Sequence, residues 1–337
     1  MMRRQAVCGA AFFLANVAAG PAQTDPGLSI KPAGVTLSGE RLAPEKAPVD
    51  LSRPEPRQIE HLSTRLESEY ADAAMRGEAW AQTRLGILYA RSVNDEQRLE
   101  SAVKFLTAAA EANDPEAQYE LAILYAGGRG TQKSFDDAIR YCRLAADQGY
   151  LPAVYSLGSL LAAGEVGFKD DAEAARWFSK GAEEGDANSM FALANLKLSG
   201  KGTAKDDAGA VGLLEKSAAQ GDKRSSRLLA ALVATGRGTD RDPVRAASIL
   251  EPLADSGDAE ASYLLANMYA GTPELSSKRD EAIKYATRAA EAGKAEAMVT
   301  MASLHSQGIG TPADETQAQE WLRKAEATGM IRIIEKQ

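Results

Sequence analysis

The sequence predicts an all-α protein, a solenoid of stacked α/α pairs, and three observations lead to this fold class. A residue that tolerates a left-handed backbone, glycine in seven cases and asparagine in one, recurs every 36 residues. Two stretches with helical periodicity follow each of the first seven of these residues in the same phase. A pair of helices this short cannot bury its apolar face alone, so the units must stack on one another. The recurring residues, named closing residues below, are Gly77, Asn113, Gly149, Gly185, Gly221, Gly257, Gly293 and Gly329.

The first helix of each unit, helix A, is predicted from positions counted forward from the closing residue. A small residue lies four positions on, a large aliphatic residue eight on, a second small residue nine on, and another large aliphatic residue eleven on. The spacings four, eight and eleven place residues on one face of a helix with 3.6 residues per turn. In the unit that follows Asn113 these three residues are Ala117, Leu121 and Leu124. Each helix A is therefore expected to bury one apolar stripe.

A glycine-rich turn is predicted to end helix A, and acidic residues follow it, as Gly200–Thr203 is followed by Asp206 and Asp207. Carboxylates suit the positive end of a helix dipole, so the second helix of the unit, helix B, is expected to begin there. The first and sixth units lack the glycine pattern, and their turns are expected to differ in shape. Each helix B has an alanine 25 positions after the closing residue and a bulky residue three further on. Stacked helices need this alternation of small and large side chains to pack closely.

The run from Pro115 to Gly130, followed by Asp137–Tyr141 and Ala145–Gly149, resembles a Sel1-like repeat. This family is related to the tetratricopeptide repeat, and the resemblance implies helix pairs that coil into a right-handed superhelix. It implies about seven full 36-residue copies over residues 78–329, preceded by a capping half-repeat at residues 58–77. The resemblance is specific for the fold and carries no chemistry of its own, because function resides in sites rather than in folds.

Residues 1–22 are predicted to be a secretory signal peptide that is cleaved. Met1-Met2-Arg3-Arg4 precedes an apolar stretch from Ala6 to Ala19, and small residues follow. The alternative is a transmembrane anchor, but the stretch is shorter than the roughly 20 residues that a membrane-spanning helix needs. No later segment is apolar enough to span a membrane. A periplasmic or secreted location in a bacterium is therefore expected.

The two segments that flank the repeats are predicted to be a linker before them and a tail or cap after them. Residues 23–57 are rich in proline and poor in large apolar residues, so they are expected to be a disordered linker. The alternative is that part of this linker lies as an extended strand along the first repeat. Residues 330–337 contain three isoleucines and are expected to form a tail or a cap on the last repeat.

Composition and motifs exclude several classes of function. The formal net charge is −8, which argues against nucleic acid and anionic lipid as partners. Neither His61 nor His305 has a ligand-spaced partner, and Cys142 is expected to be buried in a helix seam, so no metal, cofactor or catalytic residue is predicted. The Gly-x-Gly-Thr turns lack the spacing of a phosphate-binding loop and follow helices rather than strands. The protein is therefore not expected to be an enzyme.

A surface for a protein partner is predicted on the A helices, which in tetratricopeptide-like superhelices line the inner, concave face. Positions six, seven and ten after the closing residue are expected to face that groove. Leu228 and Leu264 would form an apolar pair there, and two asparagines could hydrogen-bond a peptide backbone. The alternative is that the superhelix closes on itself and buries these side chains. The candidate binding residues are Tyr119, Glu120, Tyr155, Phe191, Asn195, Leu228, Tyr263, Leu264 and Asn267.

Two functions remain open at this point. The first is an exported scaffold or adaptor that binds a peptide segment or domain of another protein. The resemblance implies roles in envelope assembly, signalling or regulation of exopolysaccharide production. The alternative is a glycan or cell-wall fragment stacked on the concave aromatic rings, which burial of those rings would exclude. The sequence does not indicate an oligomeric state. The four rings are those of Tyr119, Tyr155, Phe191 and Tyr263.

Overall fold

The computed structural model describes residues 67–92, 95–164 and 169–329, and every regular element in them is helical. Residues 67–75 form helix α1, the last part of the predicted half-repeat. The A helices are α2 (Ala79–Ala90), α4 (Pro115–Gly127), α6 (Leu151–Ala163), α8 (Ala187–Ser199), α10 (Lys223–Thr235), α12 (Ala259–Gly271) and α14 (Ala295–Gln307). The B helices are α3 (Glu96–Glu111), α5 (Phe135–Asp147), α7 (Asp171–Glu183), α9 (Asp207–Ala219), α11 (Pro243–Asp255), α13 (Ala282–Glu291) and α15 (Glu315–Ala327). The predicted all-α class of paired helices is confirmed.

Three predicted segments lie outside the described residues and stay predictions. They are the signal peptide at residues 1–22, the linker at 23–57 and the tail at 330–337. The half-repeat at 58–77 is described only from residue 67 onward.

The closing residues adopt the left-handed backbone that their spacing predicts. Their φ angles run from 67° at Asn113 to 91° at Gly257. At the end of α5 the amide of Gly149 donates to the carbonyl of Ala146 at 3.0 Å, and the amide of Tyr150 donates to that of Ala145 at 3.1 Å. This pair of bonds is the Schellman arrangement, which satisfies carbonyls at a helix end. Each unit therefore begins at the same backbone reversal.

Small residues mark the points where helices approach most closely. The fourth position after the closing residue has 0% exposure in all seven units. At the ninth position of the third unit, a Cβ on Gly158 would lie 2.6 Å from the ring of Phe178 in the neighbouring helix. The alanines predicted at position 25 of the B helices are likewise at most 3% exposed, whereas of the bulky residues three positions further on only Tyr141 and Tyr285 are buried and the others are half-buried. The seven residues at the fourth position are Ala81, Ala117, Ala153, Ser189, Ser225, Ala261 and Ala297.

Acidic residues lie at the start of most B helices, as predicted, and in five of them an aspartate acts as the cap, while Ser134 caps a sixth. In six of the seven B helices the N-cap side chain accepts a hydrogen bond from an amide in the first turn, as Asp206 does from Gly209 at 2.7 Å. Such caps satisfy amides that have no partner within the helix. The exception is α13, whose N-cap Glu281 makes no such bond. The capping residues are Asp95, Ser134, Asp170, Asp206, Asp242 and Asp314.

The second glycine of each Gly-x-Gly turn contacts the backbone of the preceding unit. At Gly202 φ is +64°, and a Cβ would lie 1.9 Å from the carbonyl oxygen of Asp171, the first residue of α7. Gly238 repeats this approach one unit later, where its Cβ would lie 2.3 Å from the carbonyl oxygen of Asp207. The turn is therefore a contact between units as well as a helix stop, which the sequence pattern alone did not indicate.

The residue between the two glycines supplies a second contact between units when it is arginine. Arg237 donates from Nη2 to the carbonyl of Leu198 at 2.6 Å and to Oδ1 of Asp207 at 2.8 Å. Arg129 donates from Nη2 to the carbonyl of Ala90 at 2.6 Å. Each guanidinium therefore binds carbonyls at the end of the preceding helix A, where intrahelical partners are absent.

Arg237→Ala is expected to lower the free energy of unfolding by about 1–2 kcal/mol, because charge-assisted hydrogen bonds to two neighbours are lost. Urea denaturation followed by circular dichroism measures the change. Arg323→Ala is the control, since Arg323 is exposed on α15 and is expected to change stability by no more than about 0.5 kcal/mol. Equal effects of the two substitutions would contradict the proposed contact between units.

The first and sixth units have the different turns that their sequences predict. Helix α2 ends at Ala90 and is followed by Arg91 with φ −79°, whereas α4 is followed by Gly128 with φ +65°. Helix α12 is followed by extended Thr272 and a 3₁₀ helix, Pro273–Glu281. The 3₁₀ helix buries Leu275 against the sixth unit.

The side chains six, seven and ten positions after each closing residue form one surface of the A helices, called the A face below. Neighbouring A helices contact each other directly at α2 with α4 and at α12 with α14. No two B helices in the described repeats make a contact of comparable extent. At these two places the A helices approach each other more closely than the B helices do, which is the arrangement expected if the A face is the inner side of the stack.

Candidate functional site

The A face brings most of the predicted site residues to an accessible surface. The four aromatic residues are half-buried, and so are one acidic residue, two amides and one leucine. The ninth residue, Leu264, is only 8% exposed and belongs to the core. The eight half-buried residues are Tyr119, Glu120, Tyr155, Phe191, Asn195, Leu228, Tyr263 and Asn267.

The two leucines predicted to form an accessible apolar pair do not both reach the surface. Leu264 is buried, so the prediction is wrong at that residue. Thr300 of α14 donates from Oγ1 to Oδ1 of Asn267 at 3.0 Å, and Asn267 lies one turn after Leu264. Helix α14 therefore lies close against this part of α12 and covers it. Leu228, at the equivalent position one unit earlier, remains half-buried.

The two asparagines are partly used inside the protein. Asn195 donates from Nδ2 to the carbonyl of Phe191 at 2.9 Å, within its own helix. Asn267 accepts the bond from Thr300 and also interacts with the hydroxyl of Tyr263. A peptide backbone on the A face would compete with these bonds, so the amides are weaker candidates than the sequence suggested.

Two of the four aromatic rings already form a cation–π contact with a basic side chain of the protein itself. The guanidinium of Arg224 lies 4.8 Å from the ring centroid of Phe191, and Nζ of Lys294 lies 4.9 Å from that of Tyr263. These cations occupy ring faces that a sugar would need for stacking. The four rings therefore do not all offer a free face for stacking on sugars, and the geometry does not favour the glycan alternative.

The other two rings contact aromatic neighbours. Tyr119 and Tyr150 have ring centroids 5.5 Å apart at an angle of 55°, and Tyr155 lies 5.8 Å from Phe178. Burial raises the pKa of Tyr119. Burial, with the nearby carboxylates of Glu116 and Glu120, raises the pKa of Tyr150 to about 12. Sequence reasoning missed Tyr150, because it lies one position after the closing residue rather than on the predicted face.

Glu120 is the most unusual charged residue of the A face. Burial and the carboxylate of Glu116 raise its pKa, and the positive charge of Arg91 opposes this. Glu120 makes no hydrogen bond or ion pair within the part of the chain that the structure describes. The adjacent Arg84 binds Glu116 instead, with Nη1 2.9 Å from Oε1. The A face therefore carries one carboxylate that is partly desolvated and has no ion pair or hydrogen bond among the described residues.

Glu120→Gln is expected to stabilise the protein near neutral pH and to lose this advantage in acid. Because folding raises the pKa of this carboxyl, its charged form destabilises the native protein near neutral pH. This destabilisation fades as pH falls through the pKa of the folded state and the carboxyl becomes protonated. Its charged or titratable neighbours are Glu116, Arg91, Tyr119 and Tyr150. The difference in urea midpoint between variant and parent, measured at about pH 7 and about pH 4.5, tests this. An equal difference at both values would contradict it.

Residues considered for chemistry lie apart from one another. Cys142 is 2% exposed, and burial raises the pKa of its thiol to about 12, which confirms its predicted place in a helix seam. His305 is half-buried, and its Nδ1 has no hydrogen-bond partner among the described residues. Within these residues there is no group of His, Cys, Asp and Glu arranged to hold a metal ion. Nor does any described helix have the length and apolarity to cross a membrane.

These features define an all-α tandem-repeat solenoid with an accessible helical face. A family model described as Sel1 repeat matches residues 81–114, 115–150, 151–186, 187–222, 225–258, 259–294 and 295–327. The chain belongs to the Sel1 repeat family, and the predicted solenoid of seven repeats is confirmed. Proteins of this family generally mediate protein–protein interactions and generally serve as scaffolds rather than enzymes.

Two solved structures show the same fold. A protective antigen of uropathogenic Escherichia coli, described as displaying an SLR fold, is 27% identical with a TM-score of 0.69, over 77% of this chain and 56% of that chain. The present chain thus spans little more than half of that protein. A Sel1 repeat protein from Oxalobacter formigenes is 26% identical with a TM-score of 0.60, over 76% of this chain and 98% of that chain. A comparison with curated proteins finds no significant match.

Proposed function

We propose that this protein is an exported scaffold that binds a peptide segment of a partner protein along the A face. The observation that carries the proposal is a set of apolar side chains on this face that the stacking of repeats does not bury. Ile123 is 39% exposed, and Leu228 is half-buried. Inner helices of repeat solenoids form extended concave surfaces suited to peptide segments. The general role of Sel1 repeat proteins supports the same conclusion.

The cellular location of the protein and the biological process in which it acts are proposed from evidence other than the A face. The charged start and apolar stretch of residues 1–22 support export to the periplasm or beyond the cell. The Escherichia coli relative is described as a protective antigen, and this likeness supports the same proposal for the present chain. Envelope assembly, signalling or regulation of exopolysaccharide production is the setting that we propose for the partner.

Affinity capture from envelope extract after mild crosslinking tests the scaffold, with Leu228→Glu beside the parent protein. A partner that depends on the A face is expected to be lost with this variant and to rebind the parent when both are purified. Val244→Glu is the matched control, because Val244 is a 56% exposed apolar residue on the B helix α11. A partner retained by Leu228→Glu, or lost equally with both variants, would contradict binding on the A face.

A further inference from the structure

The array contains one example of an ammonium group held on the A helices. Nζ of Lys294 lies 4.9 Å from the ring centroid of Tyr263 and 2.7 Å from Oε2 of Glu260. A second carboxylate, from Glu296, lies 3.5 Å away, and the Lys294 side chain is only 19% exposed. An aromatic face and a carboxylate together compensate a partly desolvated ammonium.

The second unit has the ring and the carboxylate of this arrangement without its lysine. Tyr119 and Glu116 occupy the positions of Tyr263 and Glu260, four units earlier in the chain. The position of Lys294 is taken there by Tyr150, which adds a second ring 5.5 Å from Tyr119. No lysine or arginine forms a cation–π contact with either ring within the described repeats.

Glu120 also lacks a cation in direct contact with it, since Arg91 forms no ion pair with it and only lowers its pKa electrostatically. Arg84 neutralises Glu116, but Glu120, one turn further along α4, has neither an ion pair nor a hydrogen bond within the described part of the chain. Glu120 is near enough to Tyr119 and Tyr150 to raise the pKa of both hydroxyls. Two half-buried rings in contact and a nearby carboxylate without an ion pair thus lie on the A face.

We propose that Tyr119, Glu120 and Tyr150 form a binding site for a basic side chain, lysine or arginine, of the partner segment. The inference rests on the proposed function, because the segment is the one that lies along the A face. The cation would contact the two rings and the carboxylate of Glu120, as Lys294 contacts its ring and carboxylates. The alkyl stem of the basic side chain would pack on Ile123, which is 39% exposed and one turn from Glu120.

Short random peptides displayed on cells and selected on the purified protein supply the probe. Selected peptides are synthesised, and their dissociation constants are measured by fluorescence anisotropy with parent, Glu120→Gln and Leu228→Glu proteins. We expect the peptides to share a lysine or arginine. Replacing that residue with norleucine, or Glu120 with glutamine, should each weaken binding about tenfold.

The double change is expected to cost little more than either single change, because both remove the same interaction. Glu111→Gln is the matched control, since Glu111 is an exposed carboxylate at the end of the B helix α3, and it should leave affinity unchanged. Circular dichroism of Glu120→Gln is expected to show parental helicity and no loss of thermal stability.

Two results would overturn the site while leaving the scaffold standing. One is peptides that require Leu228 but contain no basic residue, and the other is peptides whose basic residue contributes additively with Glu120. If no selected peptide depends on Leu228 or on Glu120, both the basic site and peptide binding on the A face are wrong.

Discussion

Gly202→Ala is expected to lower the free energy of unfolding by about 3–4 kcal/mol, the largest loss expected from a glycine-to-alanine change among the glycines that the structure describes. Two costs add at this position. A residue with a Cβ pays for the φ of +64°, and that Cβ would lie 1.9 Å from the carbonyl oxygen of Asp171. Since the oxygen belongs to the backbone of the preceding unit, relief requires that neighbouring repeats separate. Urea denaturation followed by circular dichroism measures the loss.

Substitutions at two other glycines distinguish the cost of the positive φ from the cost of the steric clash. Gly221 has a φ of +89° and nothing within 4 Å of a Cβ, so Gly221→Ala should cost only about 1–2 kcal/mol of backbone strain. Gly212 lies inside α9 with nothing within 4 Å of a Cβ, so Gly212→Ala should gain about 0.5–1 kcal/mol of helix propensity. If Gly202→Ala cost no more than Gly221→Ala, the turn would not be a rigid contact between units.

The repeat phase predicted the local structure because it reports short-range constraints. A closing residue must reverse the chain whatever surrounds it, so Asn113 and Gly257 have the predicted backbone. The fully buried fourth position follows equally from helical periodicity. Contacts between units were harder to predict. Nothing in the spacing of Gly202 or Arg237 indicates which backbone atoms of the preceding unit lie beside them.

The candidate site was predicted less completely for the same reason. Positions six, seven and ten identified the A face, but accessibility within it depends on how closely neighbouring A helices approach. That approach differs along the array, and α14 covers Leu264 while Leu228 stays half-buried. Tyr150 was missed because it enters the site from the start of a helix. Comparing a residue with its counterpart four units away, as Tyr150 with Lys294, is the signal that would have found it.

The two leucines of the predicted pair are expected to respond in opposite ways to substitution by glutamate. Leu264→Glu should lower the free energy of unfolding by about 3–4 kcal/mol, because it places a carboxylate at a position that is 8% exposed. Leu228→Glu should cost about 1 kcal/mol or less, since the half-buried side chain can turn its carboxylate toward solvent. Thermal and urea denaturation of both single variants measure the difference.

The two leucines are also expected to differ in how their substitution affects partner binding. Leu228→Glu should abolish partner binding while the protein remains folded, whereas any loss with Leu264→Glu should follow its loss of stability. Leu264→Met separates the two causes, because it conserves volume and should retain both fold and binding. Equal destabilisation by the two glutamates would mean that Leu228 belongs to the core, and the A face would then lose its most accessible leucine. A stable Leu264→Glu protein that fails to bind would instead return Leu264 to the binding surface.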